Sequence, residues 1–402
     1  MEVLKNNYDI WIEGIERPRY PRTNLPSETE ILIVGGGMAG ITSAYLLAKA
    51  GKKVVLLERA KLGEWITFAT TGFLTGDIDL NPDQLIGRFG VEKSRLILES
   101  HKKAIDEIEK IIQTEKIECE FERCTNYIYA NNHREEKHLI KLTKSYKKIG
   151  ADAEYKKDGA LRFNDFGYIE MPGHGKFHAM KYLTAIARLA VKYGAIIAED
   201  TEVLELEDKG TFVNVKVKDV GIIKAKKAVS ATYTPFKKPR SLSSLSNMYI
   251  EYVIEYRLPK NQLIIGTYED TLPQYNYFRI DRKKDFDRLI IGGADHLEVI
   301  KIDPEINFRT MREYAKKLFN NLKLEEVRNW SGHILETNDG LAYIGNTKGG
   351  NIFYIFGFSG NGMTYSYIAG KILLDQLQIK DNPYSKIYNI DRKISWWKTF
   401  FY

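Results

Sequence analysis

The chain has 402 residues and a formal net charge of +7, set by 60 basic against 53 acidic side chains. That length exceeds one small core and suggests two domains. Its 44% hydrophobic and 28% charged residues are ordinary for a soluble globular protein, and scattered basic runs without interleaved aromatics exclude nucleic acid as the expected partner.

In chain order, residues 1–26 read as an arm punctuated by Pro18, Pro21 and Pro26, with no apolar signal core. Ile31 to Glu58 then carries the strongest pattern. An apolar strand enters Gly35-Gly36-Gly37-Met38-Ala39-Gly40, a helical run follows, and Val54-Val55-Leu56-Leu57-Glu58 forms a second strand ending in an acid. Gly35 permits the tight turn, Gly37 lets a pyrophosphate approach the backbone, and Gly40 lets helix and sheet pack closely. The helix N-terminus offers N–H groups and a positive dipole end to phosphates. Glu58 lies at the spacing of about 20 residues expected of a ribose-binding acid. Strand, turn, helix, strand and acid in this order point to dinucleotide binding.

Asn81-Pro82-Asp83 marks a helix start, with Asn81 as N-cap. Ser94 to Ile112 has an amphipathic helical stripe, Phe121 to Ala130 reads as a strand, and His133 to Ile149 as a basic helix. Met180 to Tyr193 is a helix closed by Gly194, and Thr201 to Lys218 alternates as a hairpin. A second β-rich zone spans Tyr249 to Gly293, and a helix follows from Pro304 to Leu322. The apolar strand Asn351 to Phe356 enters Gly357-Phe358-Ser359-Gly360-Asn361-Gly362, then a helix to Leu377. Cys119 and Cys124 fit neither a disulfide framework nor a metal site and read as structural thiols. The aromatic run from Trp396 to Tyr402 is read as packing onto the protein's own core, with weak membrane or subunit contact as the other reading. No segment reaches the roughly 20 apolar residues of a membrane span. A cytoplasmic location, with peripheral membrane contact as a variant, is expected.

These blocks together resemble the FAD-dependent amino-acid and amine oxidoreductases, the group of D-amino-acid oxidase, glycine oxidase and sarcosine oxidase. Gly35 to Glu58 with Arg59 resembles the FAD fingerprint. Phe177-His178-Ala179-Met180-Lys181-Tyr182-Leu183 is similar to the start of the family's middle helix, and Glu202-Val203 to the strand beside the adenine. Gly357 to Thr364 looks like the C-terminal flavin turn. Thr70-Thr71-Gly72-Phe73-Leu74-Thr75, Cys119 to Arg123, Ala160 to Phe163, Gly292 to His296 and Trp330 to His333 resemble blocks of bacterial FAD oxidoreductases that often carry a C-terminal Rieske domain. No Cys/His cluster for such a centre is present in this sequence. Tyr233, where the family usually has Gly, and Gly63-Glu64-Trp65, where relatives have a Ser/Asn-rich loop, depart from the pattern.

The resemblance implies an α/β fold: a Rossmann-like FAD domain from residues 27–85, 172–235 and 329–380, and an inserted α+β substrate domain from 86–171 and 236–328 with a large, mostly antiparallel sheet. Residues 381–402 form the tail. It implies FAD as cofactor and hydride transfer from the carbon beside an amine or amino-acid nitrogen to flavin N5. Electrons would pass to dioxygen, a quinone or another carrier. The implied cofactor contacts are Gly35, Gly37, Met38, Ala39, Gly40, Glu58, Arg59, Thr70, Thr71, Val203, Gly360, Asn361, Gly362, Met363 and Thr364, with Thr75 nearby. Candidate substrate contacts are Arg279 as a carboxylate clamp, Tyr277 and His333; His296 and His174 are weaker candidates and His178 reads as structural. Two other readings stay open: oxidation of a hydroxy acid or polyol phosphate, and a non-catalytic binding protein on the same fold.

Overall fold

The computed structural model describes residues 8–235, 246–272 and 275–392. The aromatic run beyond residue 392 lies outside them. Two sheets organise the chain. In the first, Glu28–Val34 is central, parallel to Val54–Leu57 on one side and to Gly221–Ser230 on the other. Ile196–Ala198 and Ile352–Phe356 extend it in parallel, Tyr343–Asn346 closes one edge antiparallel, and the hairpin Val203–Asp208/Val213–Val217 joins along Gly221–Ser230. Because both faces are covered, the strands read as apolar runs. Period-two alternation sends Ile31 and Ile33 to a core shared with Ile41, Tyr45, Ile186 and Ile368, and Leu32 and Val34 to a second core beneath the hairpin. The helix Met38–Lys49 packs between Ala179–Lys192 and Gly362–Leu377 on the first of these faces.

The second sheet has nine strands, in the order Glu325–Thr337, Ser246–Leu258, Asp287–Leu297, Tyr277–Arg282, Gly266–Asp270, Glu122–Tyr129, Tyr168–Lys176 and Phe73–Leu74, with Glu154–Lys156 alongside Tyr168–Lys176. Only the pairing of Gly266–Asp270 with Glu122–Tyr129 is parallel among the described residues. Its outer face is an aromatic core in which Phe278 stacks on Tyr268 at 4.3 Å, covered by the helix Pro304–Leu318. Residues 73–74, 172–176 and 329–337, which the expected boundaries assign to the nucleotide domain, hydrogen-bond into this second sheet.

Local signals read from the sequence appear in the fold. Asn81 caps Pro82–Phe89 with a full capping box: Gln84 N–H donates to Asn81 at 2.9 Å, and Gln84 Oε1 accepts from Asn81 N–H at 3.1 Å. The expected helix at Ser94 is longer, Val91–Thr114. In the N-terminal arm Trp11 is fully buried, donates from Nε1 to the Thr70 carbonyl at 2.8 Å and packs edge-on against His178. The arm is thereby pinned beneath the loop that carries Thr70 and Thr71.

Candidate active site

The opening crossover and the closing glycine turn meet. Asn361 donates from Nδ2 to Thr75 Oγ1 at 2.8 Å and its Oδ1 accepts from Asp79 N–H, while Gly360 N–H donates to Asp79 Oδ2 at 2.7 Å. Two connected clefts run along this seam and share Gly37, Ile66, Thr67, Ala231 and Tyr233. One, with a cavity volume of about 490 Å³, passes Gly35, Glu58, Arg59 and Val203. The other, about 200 Å³, runs from Met38 and Ala39 past Thr70, Thr71 and the Gly360–Met363 turn to the inner face of the second sheet.

The glycines have different physical reasons. Gly35 has φ +109°, and a Cβ there would lie 2.4 Å from the Ala231 carbonyl oxygen; at Gly40 a Cβ would lie 1.9 Å from the Gly35 oxygen. These two are required by the protein's own packing, and Gly40 reaches neither cleft. At Gly37 a Cβ would meet only Thr67 Oγ1, at 3.5 Å, so the protein tolerates it and the added atom would project into the clefts. The helix N-terminus opens there, ready for an anion. Glu58 turns its carboxylate back on the loop, accepting from Gly36 N–H at 2.6 Å and Ala60 N–H at 2.9 Å. Arg59 stacks on Trp65, whose φ of +151° is one rarely taken by side-chain-bearing residues. Tyr233, at φ +66°, stands at the junction of the clefts rather than closing them.

Tyr277 and His333 line the inner cleft. His333 Nε2 lies 3.4 Å from Glu298. Two expectations need correction. Arg279 does not face the cleft: it is 2% exposed, forks onto Asp281 (3.0 and 2.8 Å) and donates from one terminal nitrogen to the carbonyls of Thr71, Gly72 and Phe177. Burial alone would raise the Asp281 carboxyl, yet Arg279, Arg288 and Lys176 hold it well below the usual range. Arg279 therefore fixes the Thr71–Gly72 loop to the sheet and does not line the cleft. Thr364 likewise turns away: its hydroxyl meets His101 Nδ1 at 2.8 Å in the interior, and it does not line the cleft. His296 is held by Tyr252 and the Leu297 carbonyl. His174 is buried beside Gly76, where burial pushes it down to about 3, and His178 caps Ala179–Lys192 through Lys181 N–H.

Sequence reasoning missed the inner wall. Asp77, Asp79, Glu251 and Glu269 converge on the cleft with Asn126 and Tyr275. Burial pushes Asp77 and Asp79 up to about 6 and Glu251 to about 8, and Glu269 well above its ordinary range, each except Asp77 being raised further by neighbouring carboxylates. Asp79 lines the cleft and is itself exposed, its Oδ2 accepting from Gly360 N–H. The one sequence signal was Asp77-Ile78-Asp79 directly after the Thr-rich loop; Glu251 and Glu269 look like ordinary polar positions on alternating strands.

Residues 30–376 match the DAO family, described as FAD dependent oxidoreductase. The chain belongs to that family. It is an FAD-dependent oxidoreductase of the amino-acid oxidase and dehydrogenase type. It is 28% identical over 390 residues to a putative Rieske 2Fe-2S iron-sulfur protein, YhfW, of Bacillus subtilis, covering 95% of this chain and 75% of that one. It is 23% identical to γ-glutamylputrescine oxidoreductase of Escherichia coli, covering 87% and 83%. Glycine oxidase from Geobacillus kaustophilus shares the fold at a TM-score of 0.73 and 20% identity, covering 91% of this chain and 99% of that one. L-amino acid deaminase from Proteus vulgaris does so at 0.75 and 14%, covering 94% and 100%. The residues present fit FAD: Gly37 leaves room that only a ligand needs, and the outer cleft leads from there to Val203. Among the described residues no helix is long and apolar enough to cross a membrane, and no cluster of ligating side chains would hold a metal ion.

Proposed function

We propose that this enzyme oxidises the C–N bond of an amine or amino acid, with the reacting carbon at the inner cleft. The observation that carries the reading is the continuity of the clefts. A nucleotide held at Gly37, Glu58 and Val203 leads past Tyr233 to the Gly360–Met363 turn, facing a wall of tyrosines and carboxylates. In this reading Gly35 and Arg59 complete the outer pocket, Met38 and Ala39 begin the inner one, and Thr70, Thr71, Asn361 and Gly362 border the flavin ring. Bound there, FAD supplies a two-electron acceptor that takes a hydride from the carbon beside nitrogen. The nitrogen lone pair becomes the new C=N bond, the N–H proton leaves, and water hydrolyses the imine. The acceptor of the electrons would be dioxygen, a quinone or a protein carrier.

The residues' part is positioning and field. The Gly360–Met363 turn opens the helix Gly362–Leu377, whose N-terminal dipole favours negative charge gathering at the ring. The lone pair must be free before hydride leaves, so the substrate nitrogen reacts uncharged. Names of relatives such as glycine oxidase and γ-glutamylputrescine oxidoreductase support amine chemistry. Oxidation of a polyol phosphate finds no support here, because no described Lys or Arg lines the inner cleft. Anaerobic mixing with amines, D- and L-amino acids and hydroxy acids tests the reading. Bleaching of the flavin band by an amine or amino acid is expected; bleaching by hydroxy acids alone would refute it.

A further inference from the structure

We infer that the substrate is a cationic amine without a carboxylate: a diamine or polyamine whose second, permanently protonated nitrogen sits among Asp77, Asp79, Glu251 and Glu269 while the first is oxidised. This rests on the amine reading above and narrows it. Two features independent of the charges mark the wall as a ligand surface. It closes the inner end of the clefts that open at Gly37, and it is faced with aromatic rings. Tyr275 and Tyr277 lie 6.1 Å apart, and Phe73 packs edge-on to Tyr277 at 5.3 Å. Rings of this kind attract ammonium groups to their faces.

The four carboxyl groups have dipoles for partners and, among the described residues, no Lys or Arg. Glu269 accepts from Asn126 Nδ2 at 2.9 Å, and that amide is itself oriented by Thr267. Glu251 is bonded to Tyr277. Asp79 accepts from Gly360 N–H, and Asp77 from Tyr146 at 3.4 Å. His174 lies 3.8 Å from Asp77 but is kept neutral by burial. No described Lys or Arg pairs with any of the four, and the nearby guanidiniums of Arg279 and Arg288 are committed to Asp281 on the far side of the Thr71–Gly72 loop. Clustered carboxyl groups repel one another as anions, so protons stay on them until a counter-charge arrives. The oxidised nitrogen cannot supply it, since it reacts uncharged. A second ammonium on the same molecule can. A substrate carboxylate would meet four carboxyl groups and, among the described residues, no Lys or Arg.

The test is anaerobic titration of the FAD-loaded enzyme with putrescine, spermidine, butylamine and glycine, following the flavin spectrum for binding and its bleaching for reduction. Putrescine and spermidine are expected to act at concentrations at least about tenfold below butylamine, with glycine inert. Added salt is expected to weaken spermidine more than butylamine. Glu251→Gln and Glu269→Gln, checked for thermal unfolding and FAD content, are each expected to cut the preference for spermidine over butylamine by roughly tenfold. If glycine bleaches as readily as putrescine, or the polyamines neither perturb nor bleach the flavin, the inference is overturned while amine oxidation stands. If only hydroxy acids reduce the flavin, both fall. If either Glu→Gln variant will not fold, the wild-type ranking and its salt dependence decide alone.

Discussion

Replacing Arg279 by alanine separates a structural arginine from a substrate clamp. The substitution removes the fork onto Asp281 and three backbone acceptor contacts, at Thr71, Gly72 and Phe177. Asp281 keeps Arg288 at 2.6 Å and Lys176 at 3.0 Å, so its charge is not stranded. Breaking a buried ion pair costs about 3–5 kcal/mol, and a buried carbonyl losing its only donor about 1–3 kcal/mol. With Asp281 still paired, we expect a net loss near 3–5 kcal/mol, read as a fall in melting temperature of roughly 4–6 °C for a chain of this size. The freed loop carries Thr70 and Thr71 into the cleft, so FAD affinity falls with stability. Differential scanning fluorimetry and FAD-fluorescence titration measure both effects. Kinetic losses should be shared by all substrates. An Arg279→Ala enzyme that melts normally, holds FAD normally and has a raised KM only for carboxylate-bearing substrates would refute the reasoning.

Trp11→Ala removes a fully buried ring and its bond to the Thr70 carbonyl, at a cost of about 3–5 kcal/mol, and should weaken FAD retention along with the melting temperature; unchanged retention would detach the arm from the site. The FAD-free protein should lose stability as pH rises from about 6.5 to 8. Burial holds Glu251 up at about 8 and Glu336 at about 7, so the folded state keeps protons that the unfolded chain has released, and stability falls as they leave. Below about pH 6.5 the sign reverses for His101, His174 and His178. Burial pushes them down to about 3, 3 and 4, and the unfolded chain takes up protons that the folded one refuses. Melting curves of Glu251→Gln should flatten the upper limb; an unchanged slope there would remove Glu251 as its source.

The crossover from Ile31 to Glu58 was legible because its information is local: continuous apolar strands, glycine spacing and helix start each follow from backbone sterics and capping. The Asn81 cap and the Gly194 stop were legible for the same reason. Arg279 was misread because alternation tells inside from outside only when one face of a strand meets solvent. Tyr277 to Asp281 is buried on both faces, so every side chain there faces protein. Thr364 was misread similarly, on a helix buried nearly all round, whose glycine turn does open on the cleft while this hydroxyl points to His101. The acidic wall was illegible because Asp77, Asp79, Glu251 and Glu269 come from three separate stretches. Their lack of a counter-ion is a property of the closed fold, visible in no single strand.

The account's central claim is that one FAD lies across the Gly37 turn and the inner cleft, and the FAD content of Gly37→Val beside wild type tests it most directly. The fold leaves room for a Cβ at that position. The account predicts yellow wild type with one FAD per chain, and a variant that melts like the FAD-free wild type yet is colourless and takes up no added FAD. A folded Gly37→Val protein that keeps its full complement of FAD would contradict it.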